Sequence, residues 1–297
     1  MRVFAKWIML PLALLPLAIC ARLVYGQTET RPSFEVASIK PNNSTSPGRR
    51  MGVPGDRFIA TNETVGALIA TAYGASGLVP QPLLRYQISG GPSWLDSDRF
   101  DIEAKAAGDA VRGAEGTRRK QVMLQTLLEE RFKLALHHET KELPVYALVL
   151  ARRDQTFGPK LRRSDVDCAA LFAARRSSNP PVAVPAVLDP CSSGVSIAGV
   201  LGGGALTMKD LSFLFSKALD RAVLDRTGLT GAFSVEVEFA ADGLPGLPTP
   251  PPGVERPHTD SPSLFTAVQE QLGLKLETTT APVDVLVIDH VEKSTPD

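Results

Sequence analysis

Apolar positions recur along this chain with two spacings, and each combination of the two occurs twice. Val65, Leu68, Ile69 and Ala72 follow helical spacing behind Thr64, and Met208, Leu211, Leu214, Phe215 and Ala218 follow it behind Thr207. A threonine ahead of a 3.6-residue period reads as a helix N-cap, because its side-chain oxygen accepts an N–H that the first turn leaves unpaired. Beyond each helix a glycine turn leads into a period-two run. The first is RFDIEAKA, with Phe100, Ile102 and Ala104 on one face, and the second is AFSVEVEF, with Phe233, Val235 and Val237. Alternation of that kind predicts half-buried strands.

A further helical pattern follows each strand, QVMLQTLLEERF with Leu124, Leu127 and Leu128, and SLFTAVQEQLGL with Leu264, Ala267 and Val268. FKLAL (132–136) then corresponds to LGLKL (272–276), and PVYALVL (144–150) to PVDVLVI (282–288). One order of elements, written twice, is an internal duplication. The predicted class is α+β: two similar repeated subdomains, each a small, mainly antiparallel sheet with two helices on one face. The last two strands of each half are expected to form a hairpin, joined by HHETKELP and by ETTTAP. SFEVASIKP, with Phe34, Val36, Ala37 and Ile39, should add an edge strand to the first sheet, while Gly90, Gly91, Gly228 and Gly231 supply positive φ in the turns.

The first 26 residues stand outside this pattern: Arg2 and Lys6 precede an apolar run from Trp7 to Ala21, the form of a secretory signal peptide. Val24, Tyr25 and Gly26 offer the best cleavage pattern, leaving Gln27 first; Ile19 stands where lipidation of Cys20 would want a small residue. The expected organisation is signal peptide 1–26, first repeat with its N-terminal strand 27–151, a Pro/Ser-rich linker 152–193, and second repeat 194–297. A stretch with seven prolines, 244–262, is read as a loop inserted in the second repeat. Losing Arg2, Lys6 and Arg22 leaves 29 basic against 32 acidic residues, no excess that would favour nucleic acid. No later segment is long and apolar enough to span a membrane. Of the cysteines, Cys168 and Cys191 remain, and in an oxidising compartment they are expected to pair and close the linker.

Candidate chemistry is sparse. GVSIAG places Ser196 two residues after Gly194, but Ala198 stands where a nucleophile elbow needs glycine. His137 and His138 are adjacent on a strand and point to opposite faces, and HHETKE lacks the spacing that sets two histidines on one helix face. Asp96, Asp98 and Asp101 resemble the start of a calcium loop without its glycine and distal glutamate, so turn formation is the simpler role. No catalytic, cofactor or metal site is expected. Trp94 in its glycine-rich turn either covers the core or anchors a partner; with Asp96, Asp98, His137 and His138 it makes up the candidate partner-binding set.

In SFEVASIKPN, YQISGGPSWLDSDRFDIEAKA, LLEERFKLALHHETKELPVYALVLA, DRTGLTGAFSVEVEF and FTAVQEQLGLKLETTTAPVDVLVIDHVEKS, the chain closely resembles an exported soil-associated family expanded in acidobacteria. That family is a domain of unknown function with no catalytic residues to carry over; some relatives are fused behind membrane metallopeptidases of the β-lactam-sensor type. The resemblance therefore implies an extracytoplasmic sensory or binding role. LTMKDLSFLFSKALDRAVLDRTGLTGAFSVEVEF is similar, over a short stretch, to the N-terminal periplasmic modules of secretins and TonB-dependent receptors. Two functions follow as expectations. One is a non-catalytic binding or adaptor module that takes a protein or peptide partner of the cell envelope at its sheet edges or in the groove between repeats. The alternative is an envelope hydrolase with His137, Glu139 and Asp98 converging between the halves.

Overall fold

The structure is a computed structural model that describes residues 31–44, 48–52, 55–75, 81–107, 113–152, 154, 156–177, 191–195, 199–247 and 260–294. The expected signal peptide with Cys20, Ser196 and Ala198, His258, and residues 248–259 of the proline-rich stretch lie outside the described residues.

The first half runs β1 (Phe34–Pro41), β2 (Arg50–Gly52), β3 (Arg57–Thr64), α1 (Val65–Ala72), β4 (Ile88–Gly90), α2 (Trp94–Ser97), β5 (Arg99–Ala106), α3 (Gly113–Phe132) and β6 (Ala135–Leu150). The second runs β7 (Leu161–Ser164), α4 (Cys168–Ser177), β8 (Ser193–Val195), β9 (Val200–Leu206), α5 (Met208–Leu219), β10 (Val223–Asp225), β11 (Ala232–Glu238), α6 (Leu264–Ala267, continued as a π turn to Leu272) and β12 (Leu274–His290). Each half builds a four-stranded sheet in one order, β1-β5-β3-β2 in the first and β7-β11-β9-β8 in the second. The fold is α+β, and the duplication read from the spacing is present in its connectivity. β1 takes the expected edge position against β5.

The helix starts follow the expected chemistry. Thr64 accepts the N–H of Ala67 and Thr207 that of Asp210, whose carboxylate returns a bond to the Thr207 N–H. Phe100, Ile102 and Ala104 of β5 and Phe233, Val235 and Val237 of β11 are buried as their alternation requires.

The expected hairpins do not form. Ala135 and Leu136 at the end of FKLAL and all of PVYALVL belong to one uninterrupted strand of 16 residues, β6, and the end of LGLKL from Leu274 onward with all of PVDVLVI to β12, of 17 residues. These strands pair with each other, antiparallel, from Leu150↔Leu274 to Ala135↔His290. The segments taken for loops, 137–144 and 277–282, are the middle of this ribbon. A third sheet, β10-β6-β12-β4, is completed by exchange: β4 of the first half lies parallel to β12 of the second, and β10 of the second lies parallel to β6 of the first. The two halves therefore share one sheet.

The ribbon feeds both cores. Leu134, Leu286 and Ile288 join Phe100, Phe132, Leu68 and Ile102 in the first, while Leu148, Leu274 and Leu276 join Phe215, Phe233 and Leu211 in the second. A small third cluster of Val145, Ala222, Ala281, Val283 and Val285 lies on the ribbon's middle. Gly90 shows why β4 fits so close: a Cβ there would stand 2.8 Å from the Ile288 carbonyl oxygen, and its φ is +80°. Cys168 at the start of α4 is bonded to Cys191, as expected.

Because each core contains side chains of both halves, unfolding in denaturant should be one cooperative transition. Phe132→Ala in the first core and Phe215→Ala in the second should each shift that whole transition by about 3–5 kcal/mol, read by circular dichroism and tryptophan fluorescence together; two separate transitions would contradict the shared sheet. Replacing Cys168 and Cys191 by alanine should cost roughly 3 kcal/mol, for a bond that spans 23 positions in sequence, measured as a lowered denaturation midpoint that reductant no longer affects.

Candidate functional site

The two halves part ways in the connection after their exchanged strands. In the second half this is a tight polar turn: the Asp225 carboxylate accepts from the Thr227 N–H (2.9 Å) and hydroxyl (2.7 Å), and Gly228 and Gly231 take positive φ. In the first half, Gly90 and Gly91 also take positive φ, but Pro92 and Ser93 then open the short helix α2. Leu95 anchors α2, buried in the first core, and the Leu95 and Asp98 N–H groups are held by the Pro92 and Trp94 carbonyls.

A cleft opens on each side of α2. The larger, of about 560 Å³, is bounded by the start of α1 (Thr64, Gly66, Ala67), by Ser89 to Ser93, and by Arg49, Arg85, Arg99, Asp96 and Ile288. Arg49 is paired with Glu63 at 2.6 Å, and Arg99 donates to the Asn62 carbonyl at 3.2 Å. The Arg85 side chain has no hydrogen bond or ion pair among the described residues, while the Arg85 carbonyl accepts the Ile88 N–H. Asp96 rests against the start of α1, its Oδ1 2.6 Å from where a Cβ on Gly66 would lie. The Ser89 hydroxyl is buried without a partner. The smaller cleft, of about 400 Å³, is lined by Asn42, Asp98, Arg99, Lys293 and Ser294 among others.

Of the residues singled out from the sequence, the fold gathers Trp94, Asp96 and Asp98 on α2 and its C-terminal cap. Trp94 is half-buried against the first core, with the Lys293 ammonium 5.6 Å from its ring centre. Lys293 also pairs with Asp98 at 2.6 Å. The Lys293 and Ser97 hydrogen bonds hold the Asp98 carboxyl below its ordinary range. His137 and His138 stand apart from this group, exposed on β6. His137 Nδ1 meets Asp289 at 2.9 Å, and His138 lies opposite Leu286 in the ribbon. Glu139 pairs with Lys141 at 3.0 Å. His137, Glu139 and Asp98 thus each bond a different partner. Asp101 serves the fold, accepting from the Asn62 N–H and the Asn42 amide, each at 2.8 Å. Among the described residues no group of three or more His, Cys, Asp or Glu is placed to hold a metal ion, and no helix is long and apolar enough to cross a membrane.

Sequence reasoning passed over Arg49, Arg85, Arg99, Ser89 and Lys293. They come from separate segments, and neither periodicity nor spacing connects them.

The family described as a protein of unknown function (DUF3738) matches the chain over residues 66–291. No curated protein matches it. No solved structure does either.

The Asp98–Lys293 pair can be tested by titration. A carboxyl held low in the folded state contributes stability above the ordinary aspartate range and loses it as pH falls through the lower folded value. Asp98 should therefore titrate below the ordinary aspartate range when followed by carbon NMR, and Lys293→Met should return it upward. An Asp98 that titrates in the ordinary range before the substitution would mean that the pair is not formed in solution.

Proposed function

We propose, for a chain that belongs to the DUF3738 family, a non-catalytic binding or adaptor role in which the face around α2 receives a protein or peptide partner outside the cytoplasm. The observation that carries this reading is the divergence of the two halves at α2: one turn is tight and filled, while the other holds a helix flanked by two clefts. A duplicated scaffold needs no such difference for its own packing. Residues that do not serve the fold, Asp96 and the exposed part of Trp94, gather at that place.

Sheet edges give the weaker support of the two expected routes. β2, β4, β8 and β10 have three residues each, and β7 has four, including Arg162 and Arg163. Along β1 the Ala37 carbonyl already accepts from Arg131, and the Pro32 carbonyl just before it accepts from Thr126. Short, charged or covered edges are how sheets avoid strand addition. The larger cleft at α2 instead lies where first-half β4 meets second-half β12, which fits the expectation of a groove between repeats. Export is supported by the leader-like pattern of residues 1–26 and by the Cys168–Cys191 bond, which persists in oxidising compartments. The likeness to exported acidobacterial proteins agrees with it.

The test is lysine crosslinking of the tagged full chain in intact cells, with mass spectrometry of the linked peptides. A partner should be captured through Lys293, and Asp98→Lys, which reverses one charge on the exposed side of α2, should reduce its capture at least about tenfold, as expected for losing one charge-assisted contact, while the thermal melt is retained. Links that fall on β7 or β8 and survive the substitution would overturn the assignment of the face.

A further inference from the structure

We propose that the larger cleft binds the oxyanion of a small organic molecule, a carboxylate or a phosphate, with Arg85 as its main charged contact. This goes beyond a protein partner at α2 and stands on the interior of the cleft. Three guanidinium groups line it, from Arg49, Arg85 and Arg99, against one carboxylate, Asp96. Glu63 neutralises Arg49 from behind, and one positive charge still remains. Arg99 is held by the Asn62 carbonyl, whereas the side-chain donors of Arg85 are unused among the described residues. A guanidinium presents five N–H donors in a planar fork that matches two oxygens of a carboxylate or phosphate.

The second half supplies a comparison within the same chain. There the N-terminus of α5 is closed by its own Asp210, which accepts from the Thr207 N–H at 3.0 Å and from its hydroxyl at 2.6 Å. In the first half the equivalent third position is Ala67, and the first turn of α1 holds no acidic residue. Thr64 takes the Ala67 N–H, and the N–H groups before it have no intrahelical acceptor. This helix end lines the cleft and favours negative charge. Ser89 also lines the cleft, and its hydroxyl is buried without a partner among the described residues.

The size of the cleft narrows the class of ligand. About 560 Å³ is more than a bare ion fills and is within the range of small-molecule sites. Asp96 stands beside the same helix end, with no side-chain partner among the described residues, so an oxyanion next to a donor, a hydroxyl or an ammonium, would satisfy both signs at once.

The full chain should be titrated with phosphate, succinate and alanine, with amide NMR shifts read at Gly66, Ser89 and Gly90. At least one probe is expected to bind, and the tightest of the three identifies phosphate, simple carboxylate or carboxylate with ammonium as the recognised form. Arg85→Gln, at an exposed side chain that supports no other group, should weaken binding about tenfold or more. Asp96→Asn should strengthen binding of phosphate, since it removes a like charge. The proposal is overturned if no probe shifts these amides at about 10 mM, where even millimolar binding registers, or if Arg85→Gln binds as well as the native chain.

Discussion

Everything else in this protein rests on the pairing of β6 with β12. The two strands are of nearly equal length, run antiparallel and come one from each half, so the sheet that joins the halves is also the floor of both cores. The short strands β4 and β10 cross over to complete it. Leu286 and Ile288 of the second half are buried in the first core, and Leu148 of the first half is buried in the second. Each such side chain contributes about 1.5–3 kcal/mol, so a half deprived of its partner strand would lose a large share of the stability of an ordinary domain.

Duplication explains the asymmetry around α2. Two copies of one scaffold support the ribbon equally well, so one copy can keep its helix end and turn filled while the other leaves them open. In the second half Asp210 and Asp225 are both committed to backbone N–H groups. In the first, Ala67 stands in place of Asp210, and a helix occupies the turn. The interior clusters are comparable in kind in the two lobes.

The parts of this fold that are written locally were legible in the sequence. Thr64 and Thr207 announced their helices, and the alternation in β5 and β11 named the buried residues, because cap chemistry and side-chain period act within a few positions. The ribbon was misread for a physical reason. HHETKELP and ETTTAP are polar and contain Pro144 and Pro282, which in a central strand would remove a needed N–H. In the middle of this ribbon each strand has only one neighbour, and proline is tolerated on such an open side. Exchange of β4 and β10 leaves no local trace, since a short apolar run pairs equally well with either long strand. The disulfide was legible from compartment and count, while the cleft was not, because Arg49, Arg85 and Arg99 meet only after the first sheet and β4 are in place.

The ribbon also sets the order in which this chain can become itself. Its contacts join residues on the order of a hundred positions apart, the kind of pairing that makes folding slow. β6 ends at Leu150 and β12 begins only at Leu274, so β6 waits for most of the second half before its long partner is available. Until then β6 presents an unpaired edge flanked by apolar side chains, the surface on which chains aggregate or trade strands with a neighbour.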